Sequence, residues 1–192
     1  MTTSPRRLGL ALLTLLGAPS HAPAAAPVFH GALVVRPASG PIGADGTASL
    51  TVHSWALRLG RATDGRPSNG IDPAGEPIII AIGEQTFLIP AASLRASRTG
   101  TRFAYSNRES HAVRTLHMRR ELDGSYAIRF SLTGIDLSAL TLESPICRPL
   151  AVIIGDDDGF TGVELVLPTR HSRRFRLRGP CDVSNDWPWI QG

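Results

Sequence analysis

Apolar and polar residues alternate in short runs along most of the chain, and the runs break at Gly, Pro or Asp. The clearest pair is Pro77 to Ile82 and Phe87 to Ile89, joined by Gly83-Glu84-Gln85. β-Branched residues on both sides of a short Gly-containing loop predict a hairpin. The turn Asp72-Pro73-Ala74-Gly75 leads into it and Pro90 stops it. Leu122-Asp123-Gly124-Ser125 carries an Asp-Gly pair and predicts a second hairpin, running into Tyr126 to Phe130 with Tyr126, Ile128 and Phe130 on one face. Ser49 to Leu59 reads as a long strand. Strict alternation puts Thr51, His53, Trp55, Leu57 and Leu59 on one face and Leu50, Val52, Ser54 and Ala56 on the other. Val28–Arg36, Phe103–Ser106, Ala112–Arg120, Leu150–Ile154, Gly162–Leu167 and Arg173–Arg178 complete the predicted strands, and Asp136 to Leu140 reads as a single helical turn. Pro37 to Gly46 and Arg61 to Gly75 read as loops. No long stretch carries a 3.6-residue period. Short strands with turn signals between them predict an all-β domain, an antiparallel β-sandwich first and a barrel second.

Composition agrees with that picture. The 19 Gly and 15 Pro follow no repeat, as in a turn-rich β protein. At 192 residues, 42% of them hydrophobic, the chain is sized for one domain with a real core. Its first residues read as an export signal: Arg6 and Arg7, an apolar run from Leu8 to Leu16, then Ala22-Pro23-Ala24 as a small-residue cleavage site. The apolar run is far too short to span a bilayer. The expected division is therefore 1–24 signal peptide, 25–48 N-terminal strand and loop, and 49–192 the β domain, with a periplasmic or secreted address and no transmembrane segment after processing. All 20 basic residues are Arg. Removing the leader leaves eighteen Arg against sixteen acidic residues, a net charge of +2, too small to imply a polyanion partner by itself. Cys147 and Cys181 are the two cysteines, and an even count in an exported chain predicts a disulfide.

Four groups of residues bear on chemistry. Arg174, Arg176 and Arg178 fall on one face of a predicted strand whose other face is Phe175 and Leu177. They form a rack for phosphate or sulfate on an envelope polyanion, or else the wet face of a half-buried strand. Asp156, Asp157 and Asp158, followed by Gly159, cluster carboxylates in the way Ca²⁺ asks for. The EF-hand spacing is missing and the loop alone is short of oxygens, so an ordinary Asp-Gly turn ranks ahead and no cofactor is expected. His53, His111, His117 and His171 are scattered, and no zinc spacing is present. There is no Gly-x-Ser-x-Gly elbow. Trp187 and Trp189 form the one dense aromatic pair, and nothing supports base-specific nucleic-acid binding.

Gly70-Ile71-Asp72-Pro73, Glu76-Pro77, Gly83, Ile89-Pro90-Ala91, Gly134-Ile135-Asp136-Leu137 and Ile153-Ile154-Gly155-Asp156-Asp157-Asp158-Gly159 together give a pattern of turns and strand faces. Over roughly Ser49 to Gly159 it resembles a β module of secreted and surface proteins of Gram-negative bacteria, a module with no assigned activity. The resemblance implies fold and compartment and carries over no functional residue. The function expected from all of this is a non-catalytic exported module, structural or ligand-binding, whose partner is an envelope polyanion or another surface protein. The competing class is a secreted hydrolase with a loop-built site. A concave pocket with converging polar groups favours the hydrolase, and flat faces over a filled interior favour the module.

Overall fold

A computed structural model describes residues 31–61, 66–72, 74–110, 112–137, 145–166 and 173–183. The leader, Val28 to His30, His111, the expected helical residues 138–140, Arg170, His171 and the two C-terminal tryptophans lie outside them. Thirteen strands follow one another: β1 (Ala32–Val35), β2 (Ala38–Pro41), β3 (Thr47–Arg58), β4 (Gly60–Arg61), β5 (Ile78–Ile82), β6 (Gln85–Ile89), β7 (Arg95–Ala96), β8 (Arg102–Ser106), β9 (Val113–Arg120), β10 (Tyr126–Asp136), β11 (Ile146–Ile154), β12 (Asp157–Val166) and β13 (Arg174–Arg178). The described residues contain no helix, so none among them is long and apolar enough to cross a membrane.

All thirteen strands join one sheet in the order β6-β5-β11-β12-β1-β3-β10-β9-β8-β7. β13 pairs with both β12 and β2, and β4 with β12. Every ladder is antiparallel except the short contact of β1 with β12. The all-β, antiparallel expectation holds, and its form is an open sheet that curls into a half-barrel. Curling lets one sheet supply both walls of the core. Ile78, Ile80, Leu150, Val152 and Ile154 come from one end and meet Leu50, Val52, Leu116, Ile128 and Phe130 from the other in a single buried cluster. β6, the edge strand, reaches across to β9 and β10. There the Gln85 side chain donates its Nε2 hydrogen to the Asp136 carbonyl and accepts the Asp136 amide, both at 2.8 Å. The described part of the 25–48 segment is built into the same sheet, since β1 lies between β12 and β3 and β2 pairs with β13.

The expected hairpins form with turns their residues explain. β5 and β6 close over Gly83-Glu84, and β11 and β12 over Gly155-Asp156, with Gly155 at φ +56°, the first-position conformation of a two-residue type II′ turn. The Asp123-Gly124 hairpin is a three-residue loop: the Glu121 amide donates to the Ser125 carbonyl at 2.8 Å and Gly124 sits at φ +84°.

Three expectations need correction. Asp157 to Gly159 belong to β12 rather than to a loop, because the ladder with β11 runs to Ile153–Asp158 and Ile154–Asp157. Ala38–Pro41, Gly60–Arg61 and Arg95–Ala96 are strands although none alternates, because a neighbouring strand offers each a ladder. The third concerns β3, where strict alternation fails. Its register slips against β1 between Val34 and Val35, and against β10 between Tyr126 and Ile128. This bulge spans Trp55 and Ala56, and Ser54 Oγ braces it by accepting the Ala56 amide at 3.3 Å and donating to the Ala56 carbonyl at 3.1 Å. Trp55 therefore stays half-exposed while Leu57 turns into the core.

The cysteines are bridged. Cys147 on β11 and Cys181 after β13 are joined with their Cα atoms 6.0 Å apart, linking strands on both sides of β12. The Cys181 carbonyl lies so close to β12 that a Cβ on Gly162 would sit 1.9 Å from it, so that position accepts glycine alone.

Candidate functional site

The outward positions of β3, β10, β9, β8 and β7 fall into register as a row: His53, Arg129, His117, Ala104 and Arg95. Neighbouring strands lie about 4.8 Å apart, so His53 and His117 stand directly on either side of Arg129. The next row along the strands holds Ala127, Arg119 and Arg102. The two alanines keep the floor low between longer side chains, and the result is a groove of about 770 Å³ on the outside of the sheet. Trp55 stands at one margin, 51% exposed, with the Arg36 guanidinium 5.4 Å from its ring centroid. Arg36 is held there by its amide, which donates to the His53 carbonyl at 2.9 Å.

The groove is cationic. Five guanidiniums line it (Arg36, Arg95, Arg102, Arg119 and Arg129) against one carboxylate, Glu121. Glu121 is already engaged by Arg119, whose Nε and Nη2 donate to its Oε1 at 3.0 and 2.8 Å. Among the described residues, Arg95, Arg102 and Arg129 have no carboxylate partner. The His53 imidazole is held below its usual pKa, first by desolvation in the groove and then by the charges of Arg129 and Arg36. Such a surface suits an anion: guanidiniums present paired donors to phosphate, sulfate or carboxylate oxygens. Beside it on the same face lies a smaller basin of about 310 Å³ lined by Arg114 and by the hydroxyls of Thr51, Thr115 and Ser131.

The residues singled out in the sequence sit elsewhere. Arg174, Arg176 and Arg178 are exposed, with Phe175 and Leu177 fully buried behind them, as their alternation predicts. None of the three lines the groove. Arg178 stands opposite Glu164 in the ladder, and Arg174 donates to Ser39 Oγ at 3.1 Å. The three aspartates do not converge. Asp156 lies in the turn, with Arg61 Nε 3.3 Å from its Oδ2. Asp157 and Asp158 are successive strand residues pointing to opposite sides. Both are buried: Asp157 Oδ2 accepts the Ser68 hydroxyl, and Asp158 Oδ1 accepts the Gly31 amide at 2.8 Å. Among the described residues no three His, Cys, Asp or Glu side chains come together to hold a metal ion.

Parts of the turn pattern quoted above do meet at this end. The Asp72 amide donates to Glu76 Oε2 at 2.7 Å, and the Glu76 side chain lies over Gly155. Burial first, and then the nearby Asp157 charge, raise the Glu76 pKa, while its bond from the Asp72 amide lowers it.

Sequence reasoning missed the groove because its members are far apart in the chain. His53, His117 and Arg129 each occupy an outward position of a predicted strand, which is a visible signal. That β10 lies between β3 and β9 is not visible. Comparison of the chain with models of protein families, with characterised proteins and with solved structures gives no match.

Proposed function

We propose that the chain is an exported, non-catalytic binding module that takes an anionic ligand in the groove over β3, β10, β9, β8 and β7. The observation that carries this reading is the row His53–Arg129–His117, backed by Arg95 and Arg102, which no carboxylate among the described residues neutralises. The disulfide fits an oxidising compartment, and the leader-like first 24 residues support the periplasm or the exterior as that compartment. The groove is concave and its polar groups converge, which is also what a hydrolase needs. Its chemistry favours binding. Acid–base catalysis wants an imidazole oriented by a carboxylate or a pair of carboxylates, and here both histidines neighbour Arg129 while Glu121 is bonded to Arg119.

The test is retention on a heparin column at low salt. The groove variant Arg102→Gln/Arg129→Gln is expected to elute at clearly lower salt than wild type, each lost guanidinium weakening binding about tenfold. Arg174→Gln/Arg176→Gln/Arg178→Gln is expected to elute near wild type. Loss of retention in the second variant with none in the first moves the site to β13 and overturns the assignment.

A further inference from the structure

We infer that the groove is a proton-coupled anion site, in which His53 takes up a proton as the ligand binds beside Arg129 and His117, so that affinity rises as pH falls through the histidine range. This rests on the anion-binding reading above and adds its regulation. Both imidazoles flank the Arg129 guanidinium on one row, one strand spacing away on each side. His53 also faces Arg36 from the segment after β1, and it shares β3 with Trp55. His117 faces Arg129 on β10 and Ala104 on β8, with Arg119 two residues along its own strand and Arg102 and Arg95 beyond. The one acidic group in the groove, Glu121, is bonded to Arg119.

In the empty groove a proton on His53 adds a third positive charge to those of Arg36 and Arg129. Desolvation first, and then that repulsion, hold the imidazole below its usual pKa. A polyanion seated on the row reverses the balance. Its charge neutralises Arg129, and the protonated His53 imidazole becomes an additional charge-assisted donor. The pKa of a histidine in contact with the ligand is then higher bound than free. By linkage that difference is proton uptake, and each proton taken up changes affinity by as much as tenfold per pH unit between the two values. Below the free value His53 is already charged and the dependence flattens. Above the bound value binding falls back on the arginines alone. The ligand class is a multivalent anion able to reach at least three cations set about 5 Å apart across the strands.

The experiment uses a heparin oligosaccharide, because its sulfates keep their charge across the whole range and any slope then belongs to the protein. Kd is measured at constant ionic strength between pH 8 and pH 5.5 for wild type, His53→Gln/His117→Gln and Arg129→Gln. Calorimetry in two buffers of different ionisation enthalpy counts the protons. Wild type is expected to bind at least tenfold more tightly at pH 5.5 than at pH 8, with net proton uptake. The histidine variant is expected to lose most of the slope, whatever its affinity at pH 8. Arg129→Gln is expected to bind more weakly at both ends. A flat wild-type profile, or a histidine variant with the full slope, overturns the coupling and leaves anion binding standing. No binding by wild type at any pH overturns both. All three residues are exposed, so unchanged thermal midpoints will show that the variants are folded.

Discussion

At the start of β12, Asp157 is fully buried, with one carboxylate oxygen accepting from Ser68 and the other without a hydrogen-bond partner among the described residues. Burial raises its pKa, the charges of Asp156 and Asp158 add to the rise, and the Ser68 bond and Arg61 oppose it. A carboxyl raised in the fold stabilises the protein while protonated. Its contribution is fully present below the unfolded pKa, near 3.8, and is lost as pH climbs through the higher folded value. Asn at this position keeps an acceptor for Ser68 and cannot ionise. The difference in thermal midpoint between Asp157→Asn and wild type should therefore be most in the variant's favour near pH 7.5 and should shrink toward pH 4, where wild type is protonated as well. The amide nitrogen placed at the unpartnered position shifts the whole curve by a constant, so the decisive quantity is the change of the difference with pH. A difference that is constant or grows on acidification contradicts the raised pKa. None of this burial was legible in Asp156-Asp157-Asp158-Gly159, which has the composition of a turn. It comes from the ladder with β11 and from Ser68, some ninety residues earlier in the chain.

Elements with their own alternation were legible, and those defined by a neighbour were not. Tyr126, Ile128 and Phe130, and likewise Phe175 and Leu177, read as inward-facing and are buried. The turn between β5 and β6 closes at Gly83 as its glycine predicts, whereas the turn expected over Asp156 to Gly159 closes earlier, over Gly155-Asp156. β3 read correctly as far as Trp55 and then wrongly, because one extra residue in the strand reverses every later side chain and the bulge is set by pairing with β1 and β10. The joint between β6 and β10 is a matter of elements too. One side chain, Gln85, meets both the amide and the carbonyl of Asp136, and no feature of the sequence couples positions 51 residues apart. Gln85→Ala removes both bonds at a solvent-exposed site, where water can replace them. The expected cost is about 1–2 kcal/mol, since each such bond contributes roughly 0.5–1.5 kcal/mol net. The Asp136 amide should also exchange its hydrogen faster, while amides in the middle of β10 keep their protection. Unchanged exchange at Asp136 would mean that the clamp does not hold the edge strand in place.

At the scale of the molecule, a single curled sheet carries its core across the whole strand order, and the groove and the disulfide sit on different parts of it. The groove belongs to β3, β10, β9, β8 and β7. The Cys147–Cys181 bridge joins β11 to the segment after β13, across β12. The bridge closes a loop with a sequence separation of 34 residues. In the chain-entropy model a loop of that size restricts the unfolded chain by roughly 3–4 kcal/mol. Domains of this size are stable by about 5–15 kcal/mol, so Cys147→Ser/Cys181→Ser should remain folded but with much less in reserve. With a urea slope of about 1–3 kcal/mol/M, the unfolding midpoint should fall by roughly 1–4 M. Two further readouts test whether the sheet is one unit. The buried cluster includes Leu150 and Leu177 near the bridge together with Phe130 and Leu116 beneath the groove strands. Unfolding should therefore stay a single transition with an unchanged slope, because neither end keeps a core of its own once the other opens. In the absence of urea, heparin retention should match wild type, because no ladder of the groove strands passes through β11 or β13. An unmoved midpoint would refute the entropic role of the bridge. Two transitions, with heparin binding surviving the first, would show that the groove strands fold independently and that the half-barrel is two cooperative pieces.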